Sequence, residues 1–362
     1  MGLSEAFPMK GGDGPHSYAK NSTLQRNYLE VAKEVMKEAI AEKLDIGALN
    51  SPKTFCIADL GCSVGPNTFA AVEIIIEGVK TKYDQSQSLS SQIPQFQVFF
   101  NDHVSNDFNM LFTSLPQDKQ YYAAGVPGSF YERLFPEASL HFVHSCSSLH
   151  WLSRVPEEVT NKNSPAWNKG RIHYGNSGDE VIRAYKAQRE RDMDKFLQFR
   201  AQEVVHGGLM LVNCTFNHNG THPSQCTCNL ILDLLGSCLM DLARKGRISE
   251  EKVDSFNLPM YFMTPQEMEA AVERNGCFSI ERMETLPSPR PGNGGNESLV
   301  HQMAARVRAG MEDVIPQHFG EDIMDEFLDL YRQKIREIFI PFVAKLAGGI
   351  EERLLLVLKR KY

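Results

Sequence analysis

The sequence of 362 residues lacks any apolar run of about 18 residues, which is the length that a helix needs to cross a bilayer. Its N-terminus has neither the charged start nor the continuous apolar stretch of a signal peptide. N-myristoylation requires Ser or Thr at position 6, where this sequence has Ala6. These absences lead us to expect a cytoplasmic protein without a membrane partner.

Clustered positive charge and paired cysteine motifs are also missing. The formal net charge is -7, and no basic stripe is present, so we expect no nucleic-acid partner. Of the eight cysteines only Cys226 and Cys228 lie close together, and a single Cys-x-Cys pair is poor spacing for a zinc site. We therefore expect free thiols in a reducing compartment.

What the sequence does contain is an alternation of apolar runs and helical segments. Helical periodicity covers 24–44, 67–79 and 180–205, and the polar segment 82–95 is predicted to be a loop. The runs with strand character are seven, at 54–60, 96–100, 121–126, 140–145, 209–214, 278–283 and 354–359. This alternation predicts an α/β fold with a largely parallel sheet, whose last two strands form an antiparallel edge.

Two stretches of helical pattern fall outside this alternation, each between late strands. We expect them to be insertions that form a helical cap over the carboxyl ends of the strands in a single unit, 1–362. The predicted division is an α/β core at about 24–215, 277–286 and 351–362, with the cap at about 217–275 and 287–347.

The segment ADLGCSVGPNTF has the order strand, glycine turn, helix that opens a nucleotide-binding sheet. Asp59 ends the strand, and Gly61 and Gly65 allow a tight turn close to a ligand. At the end of the second strand, Asp102 is suited to accept both ribose hydroxyls of a nucleoside. The alternative is a helix N-cap, a role for which Asn106 is at least as suitable. The glycine turn and Asp102 together favour nucleotide binding without specifying the reaction.

Longer strings make the sequence resemble the plant SABATH methyltransferases over nearly its whole length. The strings are KGG at Lys10, SYAKNS at Ser17, ADLGCSVGPNTF at Ala58, NDHVSNDFN at Asn101, GVPGSFYERLFP at Gly125, SLHWLSRVP at Ser148, NKGRIHY at Asn168, AQEVVHGGLM at Ala201, VDSFNLP at Val253 and HFG at His318. The resemblance implies a Rossmann-like class I methyltransferase with a seven-stranded sheet, which uses S-adenosylmethionine to methylate a small carboxylic acid.

The same resemblance implies the cofactor and substrate contacts. The cofactor would be held by Tyr18, Ser22, Asp59, Cys62, Asn67, Asp102, His103, Ser129 and Phe130, with the Phe130 ring stacked on the adenine. The acid would be oriented by Gln25, His150 and Trp151, with Lys10 nearby. Amide and indole N–H groups can each donate a hydrogen bond to a carboxylate oxygen.

No general base is expected, because a carboxylic acid is already ionised at neutral pH. The resemblance further implies a homodimer and a magnesium ion held by Asn168, Asp254, Phe256 and Asn257. Oxygen ligands suit that cation. For Asp254 a structural role, capping the following turn, is the stronger interpretation.

The resemblance also implies a pocket roomier than a benzoate ring requires, because Ser147, Val307 and Gly310 stand where members of the family carry larger side chains. The strings NKNSPAWNKGRIHY and VDSFNLP resemble the branch that methylates terpenoid and iridoid acids. Three other functions are weighed against carboxyl methylation. An N-methyltransferase of xanthines would leave Lys10 and Gln25 without a purpose. An NAD-dependent oxidoreductase would need an acidic residue at 79–82, where none occurs. A receptor for small acids would not need the cofactor residues.

Overall fold

The computed structural model describes residues 7–49, 52–86, 93–287, 295–345 and 353–362. The strands are β1 Thr54–Leu60, β2 Gln95–Asp102, β3 Tyr122–Pro127, β4 Leu140–Cys146, β5 Val204–Thr215, β6 Phe278–Leu286 and β7 Arg353–Arg360. The α-helices are α1 Tyr18–Asn21, α2 Thr23–Lys43, α3 Pro66–Gln85, α4 Phe108–Thr113, α5 Asp179–Glu203, α6 Thr227–Arg244, α7 Glu250–Ser255, α8 Pro265–Asn275, α9 Gly295–Met311, α10 Val314–Phe319, α11 Met324–Lys334 and α12 Ile340–Val343. A π-helical turn, Ile335–Phe339, links α11 to α12, and short 3-10 turns occur at Glu157–Val159, Pro223–Gln225 and Glu321–Ile323.

The strands form one sheet in the order β3-β2-β1-β4-β5-β7-β6. The pairs among β1 to β5 are parallel, whereas β7 is antiparallel to both β5 and β6. The α/β fold with a seven-stranded sheet is therefore confirmed. The last two strands form the antiparallel edge as expected, with β7 lying between β5 and β6 and running against both.

Alternate residues of the central strands pack into two cores, one on each face of the sheet. On β7, Leu354, Leu356 and Leu358 join the core that contains α5 and α8, whereas Leu355 and Val357 join the core that contains α2 and α3. Successive side chains of a strand point to opposite faces, so a strand covered on both sides is apolar throughout. This explains why the strands are visible in the sequence as continuous apolar runs.

A third core gathers the remaining helices over one end of the sheet. It contains side chains of α6, α7, α9, α10 and α11 and of the π-helical turn. Helix α8 lies inside the range predicted as cap, 217–275, yet its Met268, Ala271 and Val272 pack into the core of the sheet. Helix α8 precedes β6 directly and covers the sheet beside α5, as a connecting helix of an α/β layer does.

Helix boundaries differ from the sequence predictions mainly at α3. This helix continues to Gln85, so the first residues of the loop predicted at 82–95 are helical, and 87–92 lie outside the described residues. Helix α4 begins after Asp107, whose carboxylate accepts the N–H of Met110, so neither Asp102 nor Asn106 caps this helix. In the part of the chain that the structure describes, no helix is both long and apolar enough to span a membrane.

The carboxyl ends of β1, β2, β3, β4 and β5 meet at one edge of the sheet, where ligands of such sheets bind. Because β7 is antiparallel to β5, its first residue, Arg353, lies at this same edge, in register with Thr215 at the end of β5. The antiparallel strand thus brings a buried cation to the functional edge.

Candidate active site

The turn after β1 is shaped by two glycines with positive φ. Gly61 has φ 81°, and a Cβ there would lie 2.1 Å from Ser148 Oγ. Gly65 has φ 104°, and a Cβ there would lie 2.9 Å from the Cα of Ala19 in α1. Glycine allows these close approaches, so the turn and the N-terminal segment meet at the cavity. Ser63 between them also has positive φ, 50°, and its buried hydroxyl has no hydrogen-bond partner among the described residues.

Asp102 ends β2 beside this turn. One carboxylate oxygen accepts the N–H of Ser63 at 2.7 Å, and the other accepts the N–H of His103 at 2.8 Å. Burial raises the pKa of Asp102 above its ordinary value, while these two N–H groups act in the opposite direction. A carboxylate oxygen can accept more than one hydrogen bond, so both oxygens retain capacity for ribose hydroxyls.

Asp59 is held inside the protein below the turn. Its carboxylate pairs with the Nδ1 of His144 at 2.7 Å and accepts the hydroxyl of Thr68. Asn67 at the start of α3 donates to the Ser22 hydroxyl at 2.9 Å and ties α3 to the N-terminal segment. These contacts hold β1, α3 and the N-terminal segment in place around the turn after β1.

An aromatic wall closes the cofactor end of the cavity. Phe130 is 8% exposed, and its ring lies 3.8 Å from where a Gly61 Cβ would be. It packs edge-on against Tyr131 and Phe196, which leaves a ring face for an adenine. Ser129 is beside the ring, and its hydroxyl accepts the N–H of Tyr131 at 3.2 Å.

These features fit S-adenosylmethionine. An orphaned hydroxyl at Ser63, a carboxylate with spare acceptor capacity at Asp102 and an aromatic face at Phe130 surround a turn where glycine leaves space. A nucleoside needs these partners for its polar groups, its ribose and its base.

One cavity joins the cofactor end to the cap. Its empty volume, including the open mouth, is about 1450 Å³. The predicted site residues that line it are Tyr18, Gln25, Asp102, His103, Phe130, His150 and Trp151. The predicted residues that are outside the lining are Lys10, Ser22, Asp59, Cys62, Asn67 and Ser129. Of these, Ser22 separates α1 from α2, Asp59 is within β1, Cys62 is in the turn after β1, Asn67 is at the start of α3 and Ser129 follows β3.

The residues predicted to orient the acid, Gln25, His150 and Trp151, line the same cavity. Gln25 Oε1 and His150 Nδ1 are buried with no hydrogen-bond partner among the described residues. Rotation of the Gln25 amide by half a turn presents its N–H₂ in the same place. Trp151 stacks on Phe7, with ring centroids 5.6 Å apart. Burial lowers the pKa of His150 well below its ordinary value, so the imidazole is neutral.

Lys10 does not reach this group. Its ammonium pairs with Asp313 at 2.6 Å, in an exposed acidic depression formed by the cap. The backbone of Lys10 instead joins two elements, because its N–H donates to Ala309 and its carbonyl accepts the N–H of Tyr18. The expectation that the Lys10 side chain is near the substrate is not met, since a carboxylate on the cap attracts the ammonium outward.

The residues predicted to hold magnesium are engaged with one another. Asn168 Nδ2 donates to Asn257 Oδ1 at 2.7 Å, and Asp254 Oδ1 accepts the N–H of Gly170 at 2.7 Å. An amide N–H₂ placed between the oxygens repels a cation, so this arrangement does not fit the metal, and we assign the cluster a structural role. Among the described residues, no group of three or more His, Cys, Asp or Glu could hold a metal ion.

Several lining residues were not identified from the sequence. Most are apolar residues of the cap, and two are cationic, Arg306 on α9 and Arg353 on β7. The signal for Arg353 was a charged residue at the start of the apolar run RLLLVL. The sequence predicted an antiparallel edge but did not indicate that β7 would lie between β5 and β6 and place that residue at the site.

Comparisons with known proteins agree with this geometry. A family model described as "SAM dependent carboxyl methyltransferase" matches residues 4–361. Loganic acid O-methyltransferase of Catharanthus roseus is 48% identical, over 99% of this chain and 95% of that protein. Farnesoic acid carboxyl-O-methyltransferase of Arabidopsis thaliana is 39% identical, over 99% of this chain and 100% of that protein.

A solved structure, "Loganic acid methyltransferase with SAH", superposes with a TM-score of 0.91 at 47% identity, covering 98% of this chain and 99% of that one. The resemblance to the SABATH methyltransferases is thus confirmed, and an NAD-dependent oxidoreductase is excluded. Nothing in these relatives supports xanthine N-methylation. The chain belongs to the S-adenosylmethionine-dependent carboxyl methyltransferase family, and it is an enzyme that transfers a methyl group from that cofactor to a carboxylate.

Proposed function

We propose that this enzyme forms the methyl ester of an acid whose body is apolar and larger than one benzoate ring. The observation that carries this proposal is the lining of the cavity beyond Gln25 and Trp151. Apolar side chains contribute much of this lining, mainly from the cap, and Arg306 and Tyr331 also line it; the apolar members are Phe7, Met9, Ile231, Leu232, Leu235, Met260, Met303, Val307 and Met311.

The chemistry of this lining distinguishes classes of acid. Such a surface stabilises buried hydrocarbon and offers little to sugar hydroxyls, whose burial without partners is costly. Methionines adapt to irregular apolar shapes. The same cavity is lined by Asp102 and Phe130 and by Gln25 and Trp151, so the cofactor and the acid would lie side by side in it. Farnesoic acid, named for one relative, has an extended hydrocarbon body of this kind.

The reaction needs orientation and no proton transfer. The acid is ionised at neutral pH, and neutral His150 has no proton to remove from it. Gln25 and Trp151 donate hydrogen bonds that fix the carboxylate, and the apolar wall excludes water from it. When bound, S-adenosylmethionine supplies an electrophilic methyl group. Positioning of this kind can contribute roughly 7–11 kcal/mol to lowering a barrier.

The test is transfer of labelled methyl to a panel of benzoic, farnesoic and dodecanoic acids, a glycosylated acid and xanthine. We expect label in a base-labile ester, with kcat/KM at least about tenfold higher for the long apolar acids than for benzoate. Benzoate or the glycosylated acid as the best substrate would contradict the proposal, and label on xanthine alone would show a different acceptor atom.

A matched pair of variants on α9 tests the same point. G310V adds methyl groups where a Cβ would lie 3.7 Å from the Met9 side chain, inside the cavity. We expect it to reduce activity with long acids more than with benzoate. The control A305V makes a similar change on the same helix, at a half-buried residue outside the cavity lining, and should leave the order of substrates unchanged.

We also propose, on the resemblance in sequence alone, a cytoplasmic homodimer without a nucleic-acid partner. The arrangement of 217–275 and 287–347 as a cap, with α8 assigned to the sheet layer, belongs to the same proposal. Light scattering after size-exclusion chromatography would measure the mass of the assembly, and a mass of 40.8 kDa would contradict the dimer.

A further inference from the structure

We propose that Arg353 is the electrostatic partner of the substrate carboxylate and acts on it through the hydroxyl of Ser147. Arg353 is thus a positioning residue that sets the preference of the cavity for anions. This inference rests on the proposal that the substrate is methylated on a carboxylate, and it does not depend on the size of the apolar part of the substrate. It can therefore fail or hold separately from the substrate class proposed above.

Arg353 is a buried guanidinium at the edge of the sheet where the reaction occurs. It is 2% exposed, and it lines the cavity together with Ser147, His150 and Trp151. The ring of Tyr28 covers one face of the guanidinium, whose carbon lies 4.5 Å from the ring centroid. This contact orients the cation and removes it from bulk water.

Every hydrogen-bond acceptor around Arg353 is neutral. Its Nε donates to Asn213 Oδ1 at 3.0 Å, and its Nη1 donates to Thr215 Oγ1 at 2.7 Å. Its Nη2 donates to Ser147 Oγ and to the Asn213 carbonyl, both at 2.7 Å, and also lies 3.8 Å from Cys146 Sγ. A guanidinium has five N–H donors, so one N–H of Nη1 is unused.

In the described part of the chain, the charge of Arg353 is therefore not balanced by a carboxylate. Arg200 provides the contrast within this chain, because it is equally buried and pairs with Glu203 at 2.7 Å. No ion pair joins Arg353 to a carboxylate in the described part of the chain, although an unpaired buried charge costs several kcal/mol. A substrate anion would supply the missing charge.

Acidic and basic side chains are distributed unevenly in the lining of the cavity. Asp102 lies beside the turn after β1, whereas Arg353 lies beside Ser147 and acts on His150, and Arg306 acts on both His150 and Tyr18. Both arginines contribute, after burial, to lowering the pKa of His150, so the positive potential extends to the residues that orient the acid. A cavity polarised in this way attracts a carboxylate to one end only.

Ser147 connects this charge to the cavity. Its hydroxyl oxygen accepts from Arg353, so its proton can be donated to a ligand, the weak alternative being Cys146 Sγ at 3.7 Å. Its φ of 58° is uncommon for a residue other than glycine, and its N–H donates to the Asn213 carbonyl at 2.9 Å, which holds it there. Strained positions of this kind concentrate at functional sites. A hydroxyl polarised by a cation is a stronger donor to a carboxylate.

The test compares benzoate with benzamide, which has a similar shape and no charge. Both are titrated calorimetrically into the full chain saturated with S-adenosylhomocysteine. We expect the wild type to bind benzoate about tenfold or more tightly than benzamide, and R353Q to reduce this ratio to about twofold or less. R353K, which keeps the charge, should restore the ratio to within about threefold of the wild type. If Arg353 had only a structural role, its replacement would weaken the binding of both ligands equally.

Two results would overturn the inference. The first is that the wild type does not bind benzoate more tightly than benzamide, or binds neither ligand. The second is that R353Q has the same ratio of benzoate to benzamide affinity as the wild type. If R353Q does not fold, S147A addresses the same question, because it removes the connecting hydroxyl and leaves the sheet intact. We expect S147A to lower the ratio at least about threefold, and an unchanged ratio would reject the role of Ser147.

Discussion

At the scale of single residues, the site depends on polar groups whose state is set by burial. His150 is the clearest case, since its imidazole is 8% exposed and its Nδ1 has no partner among the described residues. Because burial lowers its pKa well below 6.5, it stays uncharged throughout the neutral range. We therefore propose that it acts by shape and hydrogen bonding on the bound acid.

We expect H150N to change which acid is preferred without abolishing turnover. Loss of the ring and its hydrogen bond should lower kcat/KM for the best acid by about tenfold and reorder the panel. Because His150 does not titrate near neutrality, kcat/KM of both enzymes should show no step attributable to it between about pH 6 and 8. The control H16N, at an exposed position, should behave as the wild type. Inactivity of H150N with every acid would mean an essential chemical role.

At the scale of elements, the cofactor end depends on contact between the turn after β1 and the short helix α1. Gly65 is where they meet, because a side chain there would lie 2.9 Å from both the Cα and the Cβ of Ala19. Helix α1 carries Tyr18, which lines the cavity, and ends beside Ser22, which Asn67 holds. The chain on both sides of this contact is thus needed for the cofactor site.

We expect G65A to raise the dissociation constant for S-adenosylhomocysteine at least about tenfold, since the methyl group must displace α1. The control is G220A, where glycine also has positive φ, 72°, but a Cβ would meet nothing within 4 Å. Both variants carry a backbone cost, which is larger at Gly65 because its φ of 104° and ψ of −166° lie in a region essentially restricted to glycine, so G65A combines this strain with the steric effect. Equal affinities for the two variants would show that α1 moves freely.

At the scale of the whole molecule, buried histidines connect stability to pH. Burial lowers the pKa of His141 to about 4 and that of His173 to about 3. Between about pH 6.5 and these values, the unfolded chain binds protons that the folded chain does not. The free energy of unfolding therefore falls as the pH is lowered through this window.

H141Q isolates one of these contributions. In the wild type the N–H of Cys56 donates to His141 Nδ1 at 3.0 Å. Glutamine can still accept this N–H, but glutamine cannot titrate. Between pH 7 and pH 5 we expect the variant to lose about 1–2 kcal/mol less unfolding free energy than the wild type, as measured by urea denaturation. Parallel pH dependence in the two proteins would mean that His141 protonates in the folded state.

Much of this protein follows from the sequence by local rules. Strands buried on both faces must be apolar throughout, so the seven runs were visible, and the glycine turn after Asp59 and the acidic end of β2 follow from backbone and hydrogen-bonding requirements. Long strings such as SLHWLSRVP carried the resemblance to a family, and with it the reaction. These features are encoded by neighbours along the chain.

Only the tertiary structure decided which distant residues share the cavity. Lys10 was expected near the acid but pairs with Asp313 on the cap, and α8 was expected in the cap but covers the sheet. Arg353 reaches the site because β7 enters the sheet antiparallel between β5 and β6. Strand direction and charge pairing depend on contacts between residues far apart in sequence, and a local pattern does not specify them.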